Sequence, residues 1–203
     1  MHVEHTRVCT SNTVGYAPSR YVTTTSPPVF RKDNQVNHAG VLIDAFDRIQ
    51  GVVHDTLDDI SSEALIFRPD AEANTIAWLI WHLTRVQDDH VADVEGGEQV
   101  WTSDGWEGRF GLPFESSAIG YGHSSDDVAR VSAGADLLRS YHDAVHARTV
   151  AYLGSLTAED LDRVVDEQWD PPVTLGVRLV SVVSDDLQHC GQAAYVRGLF
   201  ERK

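Results

Sequence analysis

Cysteine is scarce in this chain, with two in 203 residues. Cys9 lies in a polar N-terminal segment and Cys190 in the last apolar stretch. So small a supply argues against a disulfide framework and fits a reduced, cytoplasmic setting. Basic charge is scarce too: 16 Lys and Arg face 31 Asp and Glu, for a net charge of -15. The basic footprint that phosphate binding needs is missing, which argues against nucleic acid as a partner. No apolar run reaches about 18 residues without a charge, so no membrane span is expected. The opening HVEHTRVCTSNTVGYAPSR has no continuous apolar signal core. Strand signal is sparse, and no internal repeat or heptad pattern shows.

What is present is helical periodicity. Residues 1–37 lack it, are rich in Thr, Ser and Pro, and read as a disordered N-terminal tail. Residues 38–203 read as one domain. In His38–Ile60, a stripe of Leu42, Ala45, Phe46, Ile49, Val52, Val53, Leu57 and Ile60 follows the 3,4 spacing of a buried face. His54 falls on the polar side, where exposure is expected. Ser61–Ala73 is a connector, and Asn74 is placed to cap a second helix, Asn74–Val91. A third helix covers Ala133–Leu153. A short helix start is expected at Thr157–Asp160 and an extended stretch at Arg163–Trp169, and Thr174 caps a last helix that includes Val177–Phe200. The expected fold is an all-α four-helix bundle. Between its second and third helices, Glu95–Ser132 is a long aromatic-rich loop with seven glycines. Loops of this length often serve as lids or binding loops. The alternative is a loop that packs its own aromatics on the bundle. The five Trp are many for this length and are expected near the site.

The chemistry-bearing residues sit in the apolar helices. In VRLVSVVSDDLQHCGQAAYVRGLF, Asp185 and His189 are four apart, on one helical face, among residues of core type; a helix apolar nearly all round is expected to be buried. In NTIAWLIWHLTRVQDDHV, His82 is the one imidazole deep in the apolar run, sharing a face with Trp78, Leu79, Val86 and Asp89. Two histidines and a carboxylate make a ligand set for Zn²⁺ or Fe²⁺ that leaves positions open for water or substrate. The alternative is a hydrogen-bonded cluster without metal. His142 and His146 form a rival i,i+4 pair. They sit among Arg139, Asp143 and Arg148 and read as edge residues.

WLIWHL with His82, together with DDLQHCGQAAYVRGL with an acid four before His189, resembles the DinB-like superfamily. The likeness is to the branch holding the metal-binding domain of mycothiol-dependent maleylpyruvate isomerases and related thiol transferases. The resemblance implies a bundle of non-sequential topology and a divalent metal near its mouth, with Zn²⁺ first and Ni²⁺ or Fe²⁺ as alternatives. It also implies a low-molecular-weight thiol cosubstrate such as mycothiol or bacillithiol, bound to the metal as thiolate, and an electrophile to receive it. A homodimer is allowed. That branch has glutamate where this chain has Asp185, one methylene shorter, which makes Asp186 a competing ligand. The isomerase also carries a further C-terminal domain, whereas this chain ends at Lys203, so its reaction is not expected here. Within this chemistry, Asp89 is the expected proton relay. Trp78, Trp101, Trp106 and Tyr121 are expected to wall the site, Gln192 to orient a bound group and Arg197 to hold a carboxylate. Two other functions fit the same residues: a non-catalytic metal- or ligand-binding stress protein, and a non-haem iron enzyme.

Overall fold

The computed structural model describes residues 37–203; the expected N-terminal tail otherwise lies outside the described residues. Asn37 itself belongs to the fold. Its side chain accepts from Gly40 N and caps helix α1 (His38–Leu57). The buried stripe of α1 is Leu42, Phe46, Ile49, Val53 and Leu57, as its periodicity predicts. The helix stops at Leu57 rather than Ile60, and the chain turns at Asp59, which has φ 48°.

The connector holds a short helix, α2 (Ser62–Leu65), with Ser61 as its cap. Helix α3 (Ile76–Glu95) is capped by Thr75, not Asn74: the Thr75 hydroxyl accepts from Trp78 N at 3.0 Å. It also runs past Val91, ending where Gly96 adopts φ 76°. It is buried without interruption from Ile76 to Asp88, because neighbours cover it on several sides.

The long loop is not structureless. It contains α4 (Val100–Ser103), α5 (Trp106–Phe110) and α6 (Ser125–Arg130). Helices of one turn are too short to show a 3.6-residue period, which is why they are silent in the sequence. The start of α4 is held by α3, since the Asp88 carboxylate accepts from Val100 N and Trp101 N, both at 2.8 Å.

Helix α7 (Ala135–Ser155) follows, then a 3-10 turn over Glu159–Asp162. A small antiparallel hairpin of β1 (Val164–Asp166) and β2 (Val173–Thr174) leads into α8 (Leu175–Phe200), capped by Thr174 as expected. The extended stretch is thus realised only over its first part. Helices α1 and α3 each pack against α7 and α8, so α1 and α3 stand on one diagonal of the bundle. Of the long helices that follow one another in the chain, α3 and α7 pack together while α1 with α3 and α7 with α8 do not, so the topology is non-sequential. α8 is not buried all round. Its core stripe is Leu179, Val182, Asp186, Cys190, Ala193 and Val196, while Val177, Val180, Leu187 and Tyr195 face outward. Among the described residues, no helix is long and apolar enough to cross a membrane.

Candidate metal centre

Packing α3 against α8 brings His82 to Asp185 and His189. One ligand atom from each lies within 4.8 Å of the others. His189 Nε2 is 3.7 Å from Asp185 Oδ1. A tetrahedral ion with bonds of about 2.1 Å needs ligand atoms roughly 3.4 Å apart, so the pair on α8 is already near that spacing.

The tautomers suit the same role. His82 Nδ1 hydrogen-bonds to the Ile119 carbonyl, and His189 Nδ1 to Gln192 Oε1 at 2.9 Å. Both partners are carbonyl oxygens, which only accept. With these partners each Nδ1 carries the proton and each Nε2 keeps a lone pair; that of His189 lies beside Asp185. An outer partner that fixes ring and tautomer is usual for metal-ligating histidine. Burial holds the His82 imidazole below its ordinary range, with the His189 ring adding to the effect; the Ile119 hydrogen bond and the Asp185 carboxylate oppose it. His82 is therefore neutral at pH 7. Asp185 Oδ2 is buried with no hydrogen-bond partner among the described residues. A carboxylate with one oxygen left over, beside two imidazole lone pairs, fits a divalent cation.

Aromatic rings enclose the deep side. Trp78 stacks on His82 with centroids 4.5 Å apart, and Trp78 Nε1 donates to His123 Nδ1 at 3.2 Å. His123 in turn stacks on Trp81. Tyr121 meets the His82 ring edge-on at 5.5 Å and is 67% exposed, which puts it at the mouth. Burial first, then the carboxylates of Asp185 and Asp186, raise its phenol above the usual value, so it is a hydrogen-bond donor at neutral pH. Gly120 is needed between them. At φ 105°, any Cβ there would lie 2.5 Å from His82 Nδ1.

Several expected site residues lie elsewhere. Trp101 and Trp106 are buried against Tyr141 at 5.3 and 5.5 Å, in the core between α3 and α7. Trp169 is exposed on the hairpin segment. Of the five Trp, only Trp78 touches the cluster histidines. Arg197 is engaged with α1: its Nη1 donates to the carbonyls of Asp55, Thr56 and Asp58 at 2.8, 3.0 and 2.7 Å. It is a C-terminal cap for that helix and not a free carboxylate receptor. Asp89 accepts from Gln99 Nε2 at 2.7 Å and is not brought into the cluster. Asp186 turns into the core stripe, fully buried, with both oxygens unpartnered among the described residues, and it is not brought into the cluster. His142 is not an edge residue. It is fully buried, with neither ring nitrogen bonded among the described residues, while His146 pairs with Asp47 at 2.9 Å. His54 is half-exposed and pairs with Asp143 at 2.7 Å.

The residues that sequence reasoning missed are Ile119, Gly120 and His123. Their one sequence signal is a glycine set among Ile119, Tyr121 and His123 inside an otherwise polar run.

Fold and site together define an all-α, DinB-like bundle carrying a His–Asp–His cluster between two of its long helices. The chain belongs to the mycothiol-S-transferase family, whose model matches residues 41–201. Among solved structures it is similar to one titled a conserved protein of locus from Enterococcus faecalis. The two are 30% identical with a TM-score of 0.78, over 83% of this chain and 100% of that one. No curated protein matches.

Proposed function

We propose that this chain is a metal-dependent thiol S-transferase, holding one divalent ion, Zn²⁺ first, through His82 Nε2, Asp185 and His189 Nε2. The observation that carries the reading is the pair of histidines whose Nδ1 protons are both engaged, leaving two Nε2 lone pairs beside an under-bonded carboxylate. Bound there, the ion supplies Lewis acidity that lowers the pKa of a thiol ligand and presents it as thiolate. The chain's own residues do the rest. Held by two imidazoles and one carboxylate, a divalent ion keeps one positive charge, which favours an anionic ligand despite the net charge of -15. Trp78 and the segment around Gly120 keep water from the deep side of His82. Tyr121, at the mouth, is placed to donate a hydrogen bond to a bound group. Gln192 holds the His189 ring.

The nucleophile comes from outside. Cys190, the one cysteine among the described residues, is 1% exposed and unavailable. The family points to mycothiol, with bacillithiol as the alternative thiol. In the transfer, the thiol sulfur forms a bond to an electrophilic carbon as that carbon's bond to its leaving group breaks; the leaving group departs with the bonding pair and the thiol proton passes to solvent. The test is consumption of mycothiol and of bacillithiol with a generic electrophile, with and without added Zn²⁺. Saturable, metal-dependent consumption of either is expected. If neither is consumed with any metal, the protein is a metal- or ligand-binding protein.

A further inference from the structure

One turn beyond His82, α3 carries an arginine with no exposed surface. Arg85 Nη1 donates to Gln99 Oε1 at 2.7 Å and to the Tyr141 hydroxyl at 3.3 Å. Its Nε donates to the Ala118 carbonyl and its Nη2 to the Ser116 carbonyl, both at 3.2 Å. The Asp88 carboxylate lies 3.7 Å away and also accepts from the Tyr141 hydroxyl at 2.8 Å. The guanidinium sits over the Trp101 ring at 4.8 Å. Burying a guanidinium costs several kcal/mol unless it is paired and fully hydrogen-bonded. Here that cost is met by one carboxylate and a set of fixed acceptors, two of which are carbonyls of the loop.

Those two carbonyls locate the function. Ser116 and Ala118 are held by Arg85, and the next carbonyl along, Ile119, takes the proton on His82 Nδ1. Gly120 then passes against the His82 ring. Arg85 and His82 are three residues apart on one helix and grip successive points of one loop. The two tautomers of a neutral imidazole differ little in energy, so the hydrogen bond at one nitrogen decides which is present. A carbonyl decides it only if the carbonyl itself is fixed.

We propose that Arg85 is a positioning residue: by clamping the carbonyls of Ser116 and Ala118 it fixes the Ile119 carbonyl, which sets the His82 tautomer and turns Nε2 toward Asp185 and His189. Lysine cannot substitute, because a single ammonium on a flexible stem lacks the planar fork that reaches several fixed acceptors at once. The inference deepens the metal-site reading and rests on it for the role of Nε2. The tautomer claim is separately testable in metal-free protein.

The experiment is imidazole ¹⁵N NMR of metal-free wild type and Arg85→Lys, followed by Co²⁺ titration. In the wild type, His82 and His189 both show the Nδ1–H form. In Arg85→Lys, the His82 nitrogens shift toward a mixture of tautomers while His189, held by Gln192, does not change. Co²⁺ affinity falls about 10–100-fold, the usual loss when an outer partner of a metal-ligating histidine is removed. If Arg85→Lys fails to fold, Arg85→Gln serves in its place. It leaves no buried ammonium, and Asp88 keeps its three donors, Val100 N, Trp101 N and Tyr141 Oη. A folded variant with His82 still in the Nδ1–H form and Co²⁺ affinity within about twofold of wild type would overturn the proposal. A wild type that takes up no Co²⁺ overturns the metal reading instead, and the metal-free spectra still decide the role of Arg85.

Discussion

Gly120→Ala adds one methyl group where the loop meets His82. The new Cβ would stand 2.5 Å from His82 Nδ1, 3.1 Å from Trp78 Cζ2 and 3.2 Å from His82 Cγ. His82 and Trp78 are buried and stacked on each other, so the loop has to yield rather than the rings. The backbone objects as well, since φ is 105°. A residue with a Cβ held in such a region costs about 1–3 kcal/mol. A loop that retreats takes the Ile119 carbonyl away from His82 Nδ1. Loss of such a partner lowers metal affinity about 10–100-fold, or roughly 1.4–2.7 kcal/mol. Two measurements separate the effects: thermal melting of the metal-free protein, and Zn²⁺ affinity by chelator competition. The melting temperature should fall by several degrees, at about 2–4 °C per kcal/mol for a domain of this size. The affinity should fall by one to two decades. A variant that loses stability but binds Zn²⁺ within about twofold of wild type would refute the reasoning. The Ile119 carbonyl would then hold the loop without tuning the ligand.

Burial pushes the His142 imidazole down to about 3, so the unfolded chain gains a proton that the native core refuses. With the folded pKa depressed, stability is full above about pH 6.5 and falls by about 1.4 kcal/mol per pH unit below it. In urea melts, wild type should therefore lose about 2 kcal/mol more than His142→Leu between about pH 7.5 and 5; parallel pH slopes would contradict this. Arg197→Met should cost about 1–3 kcal/mol by freeing the carbonyls of Asp55, Thr56 and Asp58 at the end of α1, with thiol transfer unchanged; a rise in KM for the thiol would return Arg197 to the site. Deleting residues 1–36 should leave melting and metal uptake unaltered, whereas deleting Asn37 as well should cost about 1 kcal/mol for the lost cap. A large drop from the shorter deletion would mean that the segment packs on the bundle.

The bundle was legible because α1, α3, α7 and α8 each carry a buried stripe long enough to read, and their caps Thr174 and, within one residue, Thr75 are of the expected type. The cluster was legible for a similar reason. Asp185 and His189 are neighbours by helical geometry alone, and an imidazole inside an apolar run such as WLIWHL has few roles other than an inward-facing one. Aromatic content, by contrast, does not distinguish a core residue from a mouth residue. Trp101 and Trp106 went to the core, and Tyr121 to the mouth. His142 reads as an edge residue from its charged sequence neighbours, but its helical neighbours decide its burial. Leu138, Val145 and Thr149 share its face and are buried with it. Ile119 and Gly120 could not be placed on His82, since the contact joins residues 37 positions apart through a segment with no period.

The most direct test of the account is Co²⁺ titration of the metal-free protein followed by addition of mycothiol, read by visible and near-ultraviolet absorption. The account predicts one tightly bound Co²⁺ per chain in wild type, little or none in His82→Ala or His189→Ala, and a thiolate-to-metal charge-transfer band when the thiol is added. Full Co²⁺ uptake by both variants would contradict the assigned ligands. A loaded wild type whose spectrum is unmoved by mycothiol or bacillithiol would contradict the thiol chemistry.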